Sequence, residues 1–250
     1  MTNAGVIDLN ADLGEGCGDD AAVLQIVTSA NIACGGHAGD AETMRLTVQG
    51  AIQNGVTIGA HVSYPDREHF GRRDMELPDR QLSEEVLRQI RNLDTCVHAC
   101  GTRVRYVKAH GALYNRMAED AEVADAVISA IKQSDPDLVL LTLPDCIAMR
   151  QAVSAGLQAV AEAFADRAYT DAGKLLPRNR TGAVIDDPEV VSRRGVEIAL
   201  RGRVRSFDGQ EVAVAARSLC VHGDTPNAVI LARTLRAGLE QAGLRIAAFA

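Results

Sequence analysis

The 250 residues contain no tryptophan, and aromatic side chains make up only 3% of the chain. The stacking platforms that hold single-stranded nucleic acid are therefore missing. An excess of positive charge is missing too. The net charge of -7 and a pI near 5.4 speak against binding nucleic-acid phosphates or an anionic membrane. No apolar run approaches the ~20 residues needed to span a bilayer. The opening MTNAGVIDLN has neither a basic segment nor a long apolar one, so the expectation is a cytoplasmic protein. Cys17, Cys34, Cys146 and Cys220 stand singly, and only Cys96 and Cys100 are close in sequence. That usage fits a reducing compartment rather than a disulfide scaffold. Cys96-Val97-His98-Ala99-Cys100 resembles metal-ligand spacing, but no further ligand is near in sequence and the pair reads as structural.

Several catalytic signatures are absent as well. There is no G-x-S-x-G elbow for a serine nucleophile. There is no G-x-x-x-x-G-K-[ST] phosphate loop, since Gly173-Lys174 lacks the earlier glycine and the following hydroxyl. The run Leu13-Gly14-Glu15-Gly16-Cys17-Gly18 has the wrong spacing for a dinucleotide fingerprint. Its neighbours Asp12, Asp19 and Asp20 would also repel a pyrophosphate. An open dinucleotide-binding sheet is discarded on these grounds.

What remains is an ordinary globular composition, 47% hydrophobic and 24% charged, in a chain long enough to bury a large core. The charge is unevenly placed. No Lys or Arg precedes Arg45, and the seven carboxylates Asp8, Asp12, Glu15, Asp19, Asp20, Asp40 and Glu42 account for the whole net charge. Asp8 and Asp12 lie inside an apolar run, where an exposed acidic face would not put them.

Short apolar runs alternate with amphipathic ones along the chain. The strand-like runs are residues 5–10, 30–34, 56–61, 103–110, 137–143, 158–164 and 218–223. Helices are expected between them: one capped by Asp40 and running through Ala51, and one with Ser83 before its first turn and a stop at Gly101. Others start at Asp187-Pro188 and at Pro226. Seven such units imply parallel strands joined by helical crossovers in one domain of 1–250. A small hairpin is expected over 203–215, and the tail LRIAAF extends an edge or seals the ring.

The position of the polar residues is informative. His37, His61, His110 and His222 fall at or just beyond the C-terminal ends of expected strands, the rim where parallel barrels gather catalytic groups. Asp8, Asn10 and Asp12 alternate along the first strand and share one face; Tyr106, Lys108 and His110 do so on the fourth. Lys108 is therefore expected to point inward as the counter-charge to the acidic strand. A purely structural Asp–Lys pair is the competing reading.

Two chemistries fit this rim. Asp12, His37 and His61 could hold a divalent metal that activates water. Alternatively Asp and His perform acid–base work without metal, with Lys108 offsetting oxyanion charge. The absence of H-x-x-x-H or H-E-x-x-H favours the second, and both stay open. Phe70-Gly71-Arg72-Arg73 places two guanidinium groups on a long loop, suited to a carboxylate or phosphate. Asp166-Arg167 follows the sixth strand, and the basic, turn-rich stretch 174–180 suits a lid.

The runs IDLNADLGEGCG (7–18), SANIACGGHAGD (29–40), GAHVSYPD (59–66), FGRR (70–73), VKAHGALYN (107–115), FADRAY (164–169) and CVHGD (220–224) come in the order found in the LamB/YcsF lactam-utilisation proteins, the family of 5-oxoprolinase A-subunits, which the chain resembles over almost its whole length. Departures at Gly36, Val62-Ser63 and Ala109 leave every polar rim residue in place. The resemblance implies a distorted seven-stranded parallel β/α barrel of the glycoside hydrolase/deacetylase type. It also implies opening of the lactam of 5-oxo-L-proline to L-glutamate, coupled to ATP hydrolysis, in a complex with two further 5-oxoprolinase subunits that share or supply ATP handling. The candidate catalytic residues are then Asp12, His37, His61, Lys108 and His110. Candidate substrate-binding residues are Asp8, Asn10, Arg72, Arg73, Tyr114, Asn115, Asp166, Arg167, His222 and Asp224. A stand-alone metal-dependent deacetylase or amide hydrolase, and a non-catalytic protein that only binds substrate, are the alternatives.

Overall fold

Seven parallel strands close into a ring. The structure, a computed structural model, describes residues 5–222 and 227–250. The strands are β1 (Val6–Leu13), β2 (Ser29–Ala33), β3 (Thr57–Val62), β4 (Tyr106–Ala109), β5 (Val139–Thr142) and β6 (Gln158–Phe164), and, after the hairpin β7 (Arg203–Arg205) and β8 (Glu211–Ala213), β9 (Ser218–Val221). Each of the seven pairs with the next in parallel, and β9 pairs with β1 to complete the barrel. The ring closes without the tail, which extends one edge. β10 (Arg245–Ile246) pairs with β1 below the β1–β9 contact, through Val6 and Ile7.

The seven strand-like runs of the sequence are thus the seven barrel strands. The expected helices follow with one adjustment, alongside α1 (Asp20–Leu24), α4 (Gly111–Glu119), α5 (Ala121–Ser134) and α6 (Ile147–Ser154). α2 (Ala41–Gln53) starts at Asp40, whose side chain accepts the Thr43 N–H while the Thr43 hydroxyl accepts the Asp40 N–H, a reciprocal cap. α3 (Asp79–Ala99) begins one turn before Ser83, because Leu82 is buried and extends the apolar stripe of Val86, Ile90, Leu93 and Val97 backward to Pro78. α7 (Pro188–Arg201) is capped by Asp187 with proline in the first turn. Pro226 lies outside the described residues; α8 (Ala228–Gln241) follows it. No helix among the described residues is long and apolar enough to cross a membrane.

The two faces of each strand have different fates. On β1, Ile7, Leu9, Ala11 and Leu13 face outward into the apolar layer beneath the helices, while Asp8, Asn10 and Asp12 face the lumen, and all seven are buried. The lumen has an apolar floor of Tyr106, Val139, Leu141 and Val160, against which Phe249 and Ala250 of the tail pack. The Phe249 ring meets Tyr106 edge-on at 4.9 Å.

Tyr106 needs a gap to sit there. A Cβ added to its neighbour Gly59 would lie 2.2 Å from the Tyr106 ring. The ring is pinned on its other end, where its hydroxyl donates to Asn31 Oδ1 at 2.6 Å. Gly59→Ala is expected to destabilise the fold by about 1–3 kcal/mol through overpacking. Denaturant unfolding of the variant, alone and combined with Tyr106→Leu, checks this. The second change should recover most of the loss if the ring is what collides.

Candidate active site

Above the apolar floor the lumen turns polar. Asn10 donates to Ser218 Oγ at 2.6 Å, and Asn31 donates to Asn10 Oδ1 at 2.7 Å and to Asp12 Oδ1 at 2.8 Å. Lys108 does point inward. Its ammonium lies 3.1 Å from Asp12 Oδ1 and 3.0 Å from Glu162 Oε2, with Asn10 Oδ1 at 3.4 Å and Cys220 Sγ at 3.2 Å. Burial alone would lower the Lys108 pKa; Asp12 and Glu162 outweigh it and hold the group well above the ordinary lysine value. Burial pushes the Cys220 thiol up, so the sulfur beside Lys108 stays protonated. Burial would likewise raise Asp12, but His61 and Lys108 hold it well below the usual carboxylate range.

The four rim histidines form two groups around Asp12. On one side, His61 Nε2 is 3.4 Å from Asp12 Oδ2 and 3.0 Å from His110 Nδ1, and His110 stacks on His37 with ring centroids 3.8 Å apart. Burial, together with the neighbouring imidazoles, lowers His37 to about 2 and holds His110 well below the usual histidine value. The loop at 66–72 closes over this group. Gly71 has φ +64° and passes so near that a Cβ there would meet His37 Cβ at 2.8 Å. On the other side, His222 receives a carboxylate at its back: Asp166 Oδ2 lies 2.8 Å from Nδ1 and accepts the His222 backbone N–H at 3.0 Å. Asp166 is held below its ordinary value: burial would raise it, and His222 prevails.

A cavity of about 1090 Å³ opens over this floor, lined by Asp12, His61, Lys108, His110 and His222 together with Arg72, Tyr114, Asn115 and Arg167. Tyr114 is buried against it, and its hydroxyl has no hydrogen-bond partner among the described residues. The other expected site residues stand elsewhere. Asp8 and Asn10 are sealed in the lumen below, Asp166 lies behind His222, and His37 faces a smaller pocket on the outer side. Arg73 is exposed and does not line the cavity. Arg167 donates two N–H groups to Leu176 O at 2.6 Å and Ala183 O at 3.2 Å, so it pins the 174–178 segment as a cavity wall. Asp224 lies outside the described residues.

Two acidic residues at the site are not among the expected site residues. Glu15, from the loop after β1, reaches His37 Nε2 at 2.8 Å. Glu162 sits on the lumen face of β6, fully buried. A carboxylate inside the apolar run QAVAEAF is the same signal as Asp8 and Asp12, and it marks Glu162 equally well. The departure at Gly36 is also accounted for. A Cβ there would lie 2.3 Å from Ser63 Oγ and 2.5 Å from Gln89 Oε1, so Ser63 and Gln89 fill the space that a side chain at 36 would need.

The family model for LamB/YcsF matches residues 7–250. The chain belongs to the LamB/YcsF family. It is 52% identical over 250 residues to a protein of Streptomyces avermitilis named as a 5-oxoprolinase A-subunit, covering 98% of this chain and 100% of that one. It is 51% identical to a 5-oxoprolinase A-subunit of Pseudomonas syringae pv. tomato, with 98% and 97% covered. The solved lactam utilization protein of Thermus thermophilus superposes with a TM-score of 0.92 at 43% identity, over 97% of this chain and 99% of that one. A family 4 carbohydrate esterase of Streptomyces lividans shares the LamB/YcsF barrel at 13% identity, with a TM-score of 0.54 over 98% of this chain and 93% of that one, a likeness of fold alone.

Asp8 supplies a test of the polar lumen. It accepts hydrogen bonds from Thr28 and Ser29, both at 2.7 Å, and from Ser218. Burial nevertheless pushes its pKa from 3.8 up to about 6. The folded chain then holds this proton more tightly than the unfolded chain, so stability is lost as pH rises between those values. The penalty above that window is about 3 kcal/mol. Asp8→Asn removes the titration. The stability of the wild type relative to this variant should fall by about 3 kcal/mol between roughly pH 3 and 7, read from denaturant unfolding at each pH. A difference that does not change with pH would refute the assignment.

Proposed function

We propose that this chain is a catalytic component of an ATP-dependent 5-oxoprolinase, which opens 5-oxo-L-proline to L-glutamate together with two further subunits. The observation that carries the reading is the floor of the large cavity, where Asp12 stands between Lys108 and His61 with His222 close by. The names of the relatives supply the substrate class.

A five-membered lactam is an unreactive amide, and nitrogen is a poor leaving group. Transfer of a phosphoryl group from ATP to the carbonyl oxygen releases ADP and leaves an imidate phosphate. Water then adds to the ring carbon, the C–N bond breaks, and the nitrogen takes up a proton to become the free amine. The resulting acyl phosphate is hydrolysed by a second water to glutamate and inorganic phosphate. The nucleotide is assigned to the partner subunits, in keeping with the lack of a phosphate loop in this sequence.

The residues divide the work as follows. Asp12, oriented by Asn31 and Lys108, receives the proton of the attacking water. Lys108 offsets negative charge on the former carbonyl oxygen. His222, held by Asp166 with Nδ1 engaged, delivers a proton to the ring nitrogen through Nε2. Arg72 receives the substrate carboxylate or the phosphate, and the unpartnered Tyr114 hydroxyl offers a further contact. The cavity is larger than one small lactam requires, which leaves room for a phosphorylated intermediate.

Asp12→Asn, His61→Ala and Lys108→Met should each lower ATP-dependent glutamate release by the reconstituted complex roughly 100-fold or more. Circular dichroism of each variant establishes that the barrel is intact. Near-normal turnover in folded Asp12→Asn and His61→Ala would mean that the protein only binds substrate. Acetate release from an N-acetylated sugar by the chain alone would favour the deacetylase reading instead.

A further inference from the structure

Glu15, His37, His61 and His110 come from four separate segments: the loop after β1, the loop after β2, strand β3, and the end of β4. Their ligand atoms all lie within 4.8 Å of one another. The tautomers of two rings follow from their outer partners. His61 Nδ1 is 3.2 Å from the Lys108 carbonyl oxygen, and His110 Nε2 is 3.0 Å from that of Phe70. A carbonyl only accepts, so both of these nitrogens carry hydrogen. In the neutral rings His61 Nε2 and His110 Nδ1 are then lone pairs facing one another at 3.0 Å. Glu15 Oε1 adds a third acceptor, 3.8 Å from the first and 3.4 Å from the second. Acceptors this close require a positive charge among them.

We propose that this cluster binds one divalent transition-metal ion of the zinc class, through Glu15 Oε1, His61 Nε2 and His110 Nδ1, with water as the fourth ligand. Ligands at about 2.0–2.1 Å from a tetrahedral ion lie about 3.3–3.4 Å apart. The separations here, 3.0 Å for His61–His110, 3.4 Å for Glu15–His110 and 3.8 Å for Glu15–His61, bracket that value. Two imidazoles and one carboxylate select zinc-like ions over calcium or magnesium, which prefer oxygen cages. Carbonyl oxygens behind His61 and His110 are the outer partners that orient metal-binding imidazoles. His37 is not a ligand: its ring lies parallel to that of His110 with centroids 3.8 Å apart, so the two cannot both hold one ion in their ring planes. Its Nε2, 2.8 Å from Glu15 Oε1, orients that carboxylate instead. The Phe70 ring meets His37 and His110 edge-on, and a pocket of about 250 Å³ lined by Glu15, His37 and Phe70 gives an ion access from the outer side. Asp12 is not a ligand in this arrangement; it stands beside His61. An ion there would supply Lewis acidity at the edge of the large cavity, and its binding does not depend on which amide the protein opens.

The test is a binding measurement without substrate. The full chain, stripped with chelator, is titrated with Zn²⁺ by calorimetry and with Co²⁺ by visible absorption. One ion per chain is expected, with the intense visible bands of four-coordinate Co²⁺. The melting temperature should rise with Zn²⁺ concentration, as ligand linkage requires. Glu15→Gln and His110→Gln should each weaken binding at least tenfold, while exposed His98→Gln leaves it unchanged. The absence of saturable binding and of any thermal shift in the wild type would overturn the site and leave a proton shared among the imidazoles as the positive charge. Undiminished binding in folded Glu15→Gln and His110→Gln would overturn it equally. Loss of glutamate release with metal binding intact would count against the lactam reading and not against this site.

Discussion

A single ammonium in the middle of the barrel sets the terms for everything around it. Lys108 is almost wholly removed from water, and an unpaired charge there would cost several kcal/mol. Its partners come from across the lumen: Asp12 and Asn10 on β1, Glu162 on β6, Cys220 on β9. None of those strands neighbours β4 in the sheet. The pairing is therefore satisfied only when the ring is closed, so barrel closure and charge compensation are one requirement. Removing Lys108 would leave Asp12 and Glu162 buried without their shared cation, which is more damaging than never having had the pair.

The same arrangement explains why the candidate site is rigid where chemistry is expected and loop-built where a ligand enters. Asp12, His61, Lys108 and His222 ride on strands or strand ends, and their orientation is fixed by bonds to Asn31, the Lys108 carbonyl, Glu162 and Asp166. The opposite wall comes from the 174–178 segment, whose conformation depends on the guanidinium of Arg167. Burial and then the nearby Arg178 push Arg167 down to about 10. It remains charged at neutral pH and keeps its hold on the two carbonyls. Thus an arginine read from sequence as a ligand contact serves first to shape the wall that a ligand meets.

Much of this was legible in the sequence because strands have a period of two. Asp8, Asn10 and Asp12 could share a face only if that face were special, and the same holds for Tyr106, Lys108 and His110. Histidines after four apolar runs, three of them beside a glycine, marked the rim. The partition of those histidines was not legible. Which imidazoles meet depends on strand order and register, with β3 next to β4 and β9 next to β1, and no local pattern encodes that. Glu15 was hidden for a different reason. It sits between Gly14 and Gly16, both with positive φ, and that backbone turns it back toward His37; in sequence it read as one more acid in an acidic block. Arg73 failed in the opposite sense, since adjacency to Arg72 put two cations on one loop but only one of them at the cavity.

A charged lumen raises the question of what holds such a barrel folded, given that the interior of a parallel barrel is ordinarily filled with branched apolar side chains. Here most of that duty has moved outward. The large apolar cluster lies between the strands and the helices, built from outward residues such as Leu9, Ile32, Ile58, Val107, Leu140 and Leu219 and from the buried stripes of α3, α7 and α8. Within the lumen, apolar packing is confined to the floor, where Tyr106 and the tail residue Phe249 close the end away from the rim. The division follows from strand geometry: one face of each strand can be given wholly to stability, which leaves the other free to carry groups that cost stability. A buried carboxylate such as Asp8, held partly protonated near neutral pH, is tolerable only in a fold whose main hydrophobic gain is made elsewhere.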